Sequence, residues 1–371
     1  MQKVSKRKTF SSILIPIMKI HNFSAGPSIL PQEVMQQAAA AVKELDGSGL
    51  SLIEISHRSK AFIDIMDEAC ERALRLAGLE NKGYKALFLQ GGASMQFLMV
   101  AFNLLEKKAG YINTGTWSEK ALKEAKLLGE VTEIASSQDK NYNYIPKKYS
   151  VPNDIDYLHI TTNNTIFGTQ FKTLPETNVP LVADMSSDIF SRPFDYSKFD
   201  LFYAGAQKNM GPAGATLVIL KESLLGKVTR TLPSMLNYSL HIKNESMFNT
   251  PPVFAVYASL LTLRWIENQG GLVALGKNNG IKATHLYGEI DRNTQFVGFA
   301  APEDRSEMNA TFNLKDDTLT QAFDDICKTA GISGLKGHRS VGGYRASIYN
   351  ALPIESVETL VECMQILEKN H

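Results

Sequence analysis

Lys208 stands in the stretch Tyr203-Ala204-Gly205-Ala206-Gln207-Lys208-Asn209-Met210-Gly211-Pro212-Ala213-Gly214, where it is the only charge. Glycine and alanine allow a backbone to come close to a bound group. A lysine among apolar neighbours has its ammonium form disfavoured, which makes it an amine nucleophile able to bond a carbonyl carbon. Twenty-four residues earlier, Asp184 ends the apolar run Pro180-Leu181-Val182-Ala183. A lysine that can bond an aldehyde and an aspartate that can pair with a pyridinium nitrogen are what pyridoxal phosphate asks of a protein. The same two residues also suit solvated or salt-bridged strand ends, so the rest of the chain must supply the phosphate and substrate contacts.

The elements around them do so. An apolar strand, Lys85-Ala86-Leu87-Phe88-Leu89, is joined by Gly91-Gly92-Ala93-Ser94 to a helix over 95–105. Strand, glycine turn and helix together aim free N–H groups at a phosphate. Further strands are predicted at 111–112, 130–134, 157–160, 181–184, 201–203 and 216–220, with a helix over 117–128. Strands separated by helical patterns imply an α/β fold, a mostly parallel sheet with helices on both faces. Ligands in such folds bind at the carboxyl ends of strands, where the 91–94 turn, Asp184 and Lys208 all fall.

Two cationic loops lie outside that sheet. His57 and Arg58 precede Ser59, the predicted N-cap of a helix with the apolar stripe Phe62, Met66, Ala69, Ala73 and Ala77. After a helical pattern over 252–269 and Gly270-Gly271, a smaller unit follows, with helices over 273–291, 319–330 and 356–369 and strands at 296–300, 309–314 and 346–349. It contains Gly337-His338-Arg339-Ser340-Val341-Gly342-Gly343-Tyr344-Arg345, a cationic loop that also reads as a solvated hairpin tip.

Composition narrows the class. The 371 residues are 44% apolar and 21% charged with a net charge of +1, which leaves no field to gather nucleic acid or an anionic membrane. Three widely spaced cysteines argue against a disulfide framework or a zinc site and fit a reducing, cytoplasmic setting. Lys3, Lys6, Arg7 and Lys8 precede Ile13-Leu14-Ile15-Pro16-Ile17, a run too short and too broken by proline for a secretory signal. Residues 1–17 are read as a disordered tail or as the product of an upstream start codon, with Met18 as the true beginning; the second is preferred.

The motifs Asn22-Phe23-Ser24-Ala25-Gly26-Pro27, Ile55-Ser56-His57-Arg58-Ser59, Gly91-Gly92-Ala93-Ser94, Tyr203 to Gly214, Ser246-Met247-Phe248-Asn249-Thr250-Pro251-Pro252 and Gly337 to Ser347 resemble the phosphoserine aminotransferases, in that family's order. The resemblance implies a fold-type I, pyridoxal 5'-phosphate enzyme acting as a homodimer with shared active sites. It implies a large cofactor-binding domain over 33–265 with a seven-stranded sheet, a small α+β domain over 266–371, and an N-terminal segment over 18–32 packed with the small domain.

Carried over residue by residue, Lys208 would bond the cofactor and shuttle the substrate proton, and Asp184 would keep the pyridine nitrogen protonated. Trp117 would stack on the ring, and Thr165 would sit near its hydroxyl. Ala93, Ser94 and Gln207 would hold the phosphate, joined by Asn249 and Thr250 from the neighbouring subunit. Arg345 would fork onto the substrate α-carboxylate. His57, Arg58, His338 and Arg339 would form a second anion pocket serving either a phosphate or the glutamate side chain. The reaction implied moves the amino group of L-glutamate to 3-phosphohydroxypyruvate; some members also take the related oxo-acid of vitamin B6 synthesis.

Two departures bear on affinity. Ser94 stands where some members carry arginine, and Asn164 stands where acidic residues are common. Among rivals, an alanine– or serine–glyoxylate aminotransferase would have no need of two anion sites. A cysteine desulfurase would need a loop cysteine, whereas Cys327 and Cys363 fall on helical patterns. A binding protein that kept the fold without catalysis would not need the lysine, aspartate and arginines.

Overall fold

The computed structural model describes residues 19–371 apart from Ser340; the readings for 1–18 lie outside the described residues. The described chain opens with β1 (His21–Asn22) and α1 (Gln32–Lys43). Ser59 caps α2 (Lys60–Leu76) as predicted, accepting from the Phe62 amide at 3.4 Å, and the helix buries Phe62, Met66, Ala69 and Ala73. Alternation follows with β2 (Tyr84–Leu89), α3 (Gly92–Leu104), β3 (Lys108–Asn113), α4 (Thr116–Ala125), β4 (Glu130–Ser136) and β5 (Tyr157–Thr161). A short hairpin, β6 (Asn163–Asn164) with β7 (Thr169–Gln170), leads to β8 (Leu181–Asp184), β9 (Leu201–Gly205) and β10 (Thr216–Lys221). Then come α5 (Tyr238–Lys243), α6 (Val253–Asn268), α7 (Gly271–Arg292), β11 (Phe296–Gly298), β12 (Asn309–Leu314), α8 (Thr320–Thr329), β13 (Ile332–Ser333), β14 (Tyr344–Ser347) and α9 (Ile354–Asn370).

The large sheet has seven strands in the order β2-β10-β9-β8-β5-β3-β4, with β10 antiparallel to both its neighbours and the other pairings parallel. Its central strands β8 and β9 are buried throughout, which explains why they read as unbroken apolar runs. Alternate side chains serve opposite layers. Leu158, Ala183 and Phe202 pack with α1, α2 and α6, whereas Tyr157, Val182 and Tyr203 pack with α3 and α4. A separate cluster gathers α7, α8, α9 and the antiparallel sheet β11-β12-β14 around Phe296, Phe312 and Phe323. Phe23 is buried in that cluster, and β1 pairs in parallel with β13.

Two boundaries differ from the sequence reading in ways that matter. Helix α3 begins at Gly92, three residues early, because Gly91 takes a left-handed conformation (φ 96°) that turns the strand directly into the helix. Ala93 and Ser94 therefore belong to the first helical turn. Strand β14 covers 344–347 rather than 346–349, because Arg345 pairs with Thr311 of β12 and Tyr344 with Phe312. Arg345 thus stands on a strand, and residues 348–352 form an irregular turn beyond it.

Candidate active site

Parallel strands bring their carboxyl ends to one edge, and the site is built there. Asp184 is the last residue of β8, Lys208 lies three residues past β9, and Thr165 sits in the β6–β7 turn. The Lys208 ammonium donates to Thr165 Oγ1 at 2.8 Å and lies 6.0 Å from the centre of the Trp117 ring. Burial pulls the Lys208 pKa down to about 8, against the attraction of Asp184, and the Arg345 guanidinium adds to the fall. Burial pushes the Asp184 carboxyl up, while Lys208 and a 2.9 Å bond donated by the Ser186 amide pull it down.

The N-terminal segment backs the lysine. Ser28 Oγ donates to the Lys208 carbonyl, and the Ser28 amide donates to the Gln207 carbonyl at 2.9 Å. A Cβ on Gly26 would lie 3.5 Å from Lys208 Cγ, so a side chain at this position would touch the lysine stem.

The first turn of α3 presents the amides of Gly92, Ala93 and Ser94 without helical acceptors, and no acidic residue opposes them. Ala93 is partly buried and Ser94 exposed. Gln90 Nε2 donates to the Thr250 carbonyl at 2.5 Å, which ties the Asn249–Thr250 loop to this same turn. Asn249 lines a pocket of about 210 Å³ with Gly91 and Met95 beside it. Trp117, in the first turn of α4, packs against Ile166 and Phe167, and its buried Nε1 lacks a hydrogen-bond partner.

The cationic rim lies on the other side. Arg345 is partly buried, with a buried Nε that has no partner, and burial holds its guanidinium below the usual range, against the influence of Tyr349. Burial lowers the His338 pKa, and the positive charges of Arg345, Arg339 and Lys120 lower it further, which favours the neutral imidazole. Val341 packs on the Tyr142, Ile166 and Phe167 cluster and folds this loop toward Trp117. His57 has a buried, unpartnered Nε2, and Arg58 is exposed. No hydrogen bond or ion pair among the described residues joins either to Lys208, Asp184 or Arg345. A single chain thus gathers the predicted floor and the 338–345 rim, and leaves the His57–Arg58 loop unconnected to them.

Supporting residues escaped the sequence reading. Ser186 holds Asp184 through its amide and accepts from the Gly205 amide through Oγ at 3.2 Å, linking the β8 and β9 ends. Buried Asp188 accepts from Thr162 Oγ1 at 2.5 Å and from Gln170 Nε2 at 3.1 Å. The polar run Ser186-Ser187-Asp188 directly after an apolar strand was the available signal.

With this geometry in place, the class is defined by comparison. Residues 20–360 match the family model of class-V aminotransferases. A phosphoserine aminotransferase of Flavobacterium psychrophilum is 63% identical over 353 residues, covering 95% of this chain and 99% of that protein. The solved phosphoserine aminotransferase of Bacillus circulans subsp. alkalophilus superposes with a TM-score of 0.92 at 46% identity, covering 95% and 99% of the two chains. A PLP-bound phosphoserine aminotransferase from Trichomonas vaginalis gives 0.88 at 38% identity, covering 94% and 100%. The chain belongs to the class-V aminotransferase family and, within it, to the phosphoserine aminotransferases.

Proposed function

We propose that the chain uses pyridoxal 5'-phosphate to move the amino group of L-glutamate to 3-phosphohydroxypyruvate, forming O-phospho-L-serine and 2-oxoglutarate in two half-reactions at one site. The observation that carries this is the Lys208–Asp184 pair at adjacent strand ends, beside an Arg345 guanidinium with an unpartnered buried Nε. The donor set suits the cofactor: a near-neutral amine, a buried carboxylate calling for a cationic partner, unpaired helix-start amides and an aromatic wall.

When bound, pyridoxal phosphate supplies an electron-withdrawing ring that takes up the charge left when a substrate proton departs. Asp184 accepts from the ring nitrogen and favours its protonated form. Lys208, whose pKa burial lowers to about 8, would hold the cofactor before substrate binds and, once the substrate amine had displaced it, would remove and return the substrate proton at its freed Nζ. Ala93, Ser94 and Gln207 would hold the cofactor phosphate, Thr165 would orient the ring hydroxyl, and Trp117 would cover the ring and exclude water. Arg345 receives the α-carboxylate in a fork. His338 and Arg339, with His57 and Arg58, take the second anion.

A second copy of the chain completes the site, and Asn249 and Thr250 reach the cofactor phosphate of the neighbouring subunit. Exposed apolar side chains near these loops, Ile53 at 63%, Met235 at 44% and Met95 at 38%, fit a homodimer. The proposed division is a large domain over 33–265 and a small one over 266–371, with 18–32 packed on the latter, as the burial of Phe23 supports. Three free thiols fit a cytoplasmic setting.

Absorbance of the purified protein with added O-phosphoserine tests this, with serine and alanine as controls. Loss of the yellow cofactor band with phosphoserine alone supports the proposal. Equal bleaching by alanine or serine would move the chain to another amino-acid specificity. A protein with no such band after addition of pyridoxal phosphate would remove the reading of Lys208.

A further inference from the structure

Lys282 is buried on α7, and among the described residues it has no carboxylate partner. Its ammonium instead donates three hydrogen bonds to backbone carbonyls, Ile348 at 3.0 Å, Tyr349 at 2.6 Å and Leu352 at 3.0 Å. These carbonyls belong to the irregular turn that follows β14, where no strand ladder continues, and the Tyr349 carbonyl also accepts from the Leu352 amide at 3.0 Å. An ammonium has three donors and meets all three acceptors, which an apolar side chain of equal length could not. Burial pulls the Lys282 pKa down to about 7, so the fold carries a costly cation here where packing alone would favour a methionine.

The turn that Lys282 holds reaches the active site in three directions. The Tyr349 hydroxyl donates to the Ala25 carbonyl at 2.8 Å, three residues before the Ser28 that bonds the Lys208 carbonyl. The Asn350 amide donates to Asn209 Oδ1 at 3.1 Å, and Asn209 is the residue after Lys208. Arg345 lies three residues before the turn on the same strand. We infer that Lys282 is a positioning residue for transamination, fixing the 348–352 turn so that Lys208 and Arg345 keep their mutual placement across the two cores. The inference rests on the proposed aminotransferase function.

The test compares wild-type holoenzyme with Lys282→Met, Tyr349→Phe and a control, Leu79→Ala, which loosens the large-domain core, a cluster that Ile348 and Leu352 of the turn do not join. Each is read by its thermal midpoint, the visible circular dichroism of bound pyridoxal phosphate, and the dissociation constant of glutarate, a non-reacting dicarboxylate, by calorimetry. Lys282→Met should weaken glutarate about tenfold, the scale of one lost buried hydrogen-bonding group, and alter the dichroism. Tyr349→Phe should change both in the same direction by less, and Leu79→Ala should lower the midpoint alone. A Lys282→Met protein that melts early yet binds glutarate and shows the cofactor signal like wild type overturns the inference. Should that variant fail to fold, unchanged glutarate affinity in Tyr349→Phe overturns it equally. Wild-type protein that takes up neither pyridoxal phosphate nor glutarate would instead remove the proposed function, and this inference with it.

Discussion

The floor of the site and its rim are built on opposite principles. Asp184, Lys208 and Thr165 sit at strand ends, with hydrogen bonds to Ser186, Ser28 and one another already made. Among the proposed anion-binding residues, Arg345 Nε at the rim and His57 Nε2 on its separate loop are buried without partners, and Arg339 and Arg58 are exposed on loops. The residues proposed to perform chemistry are held by the sheet before any ligand arrives. Those proposed to bind anions are left with unmet capacity, which costs stability until a carboxylate or phosphate supplies the missing acceptor. The difference predicts that floor variants lose rate and rim variants lose affinity.

The largest break should come from Lys208→Ala, which removes the proton carrier and should lower turnover by about 10⁴-fold or more. Steady-state rates together with non-covalent cofactor uptake would check it; wild-type-like rates would sink the assignment. Asp184→Asn keeps shape and removes charge, and a fall in kcat of about 10²–10³-fold is expected, the scale of losing one preorganised electrostatic partner. Crossing to the rim, Arg345→Lys replaces a fork by a point charge. It should raise KM for every amino-acid substrate about tenfold or more while kcat changes less. Arg58→Ala should raise KM for phosphoserine and glutamate by roughly fivefold to tenfold and leave alanine unaffected. An equal effect on alanine would place Arg58 at the α-carboxylate instead.

The floor should also show a pH signature that the rim lacks. Burial pulls the Lys208 pKa in the folded apoprotein down to about 8, from an ordinary 10.5. The neutral amine is the nucleophile, so uptake of pyridoxal phosphate by apoprotein should accelerate as pH rises through about 8 and then level off. Between about 8 and 10.5 the unfolded chain binds more protons than the folded one, so this group makes apoprotein stability rise with pH across that window. Stopped-flow absorbance and chemical denaturation at several pH values would measure the two effects, and Lys208→Met should abolish both.

Much of the floor was legible because short-range physics places it. Unbroken apolar runs at 181–184 and 201–203 specify buried parallel strands, and residues directly after them must emerge at the carboxyl edge. Ser59 announced its helix through its capping chemistry. Legibility failed where pairing partners are distant in sequence. The register of β14, and with it the place of Arg345, depends on Thr311 and Phe312 more than thirty residues away. Lys282 looked like any surface lysine in a helical pattern, and only the folded turn at 348–352 turned it into a buried clamp.

Residue types and their spacing were enough to indicate the chemistry: a lysine in an apolar glycine-rich stretch, an aspartate at a strand end, helix-start amides and two cationic loops. They also determined the alternation that forces a parallel sheet, because hydrophobic periodicity is local. Tertiary structure alone decided the neighbours of each group, and hence the Lys208 pKa near 8, the unmatched Arg345 and the clamp at Lys282. Burial and hydrogen bonding depend on what the rest of the chain brings alongside, and those contacts join segments hundreds of residues apart, as the Tyr349 bond to Ala25 does.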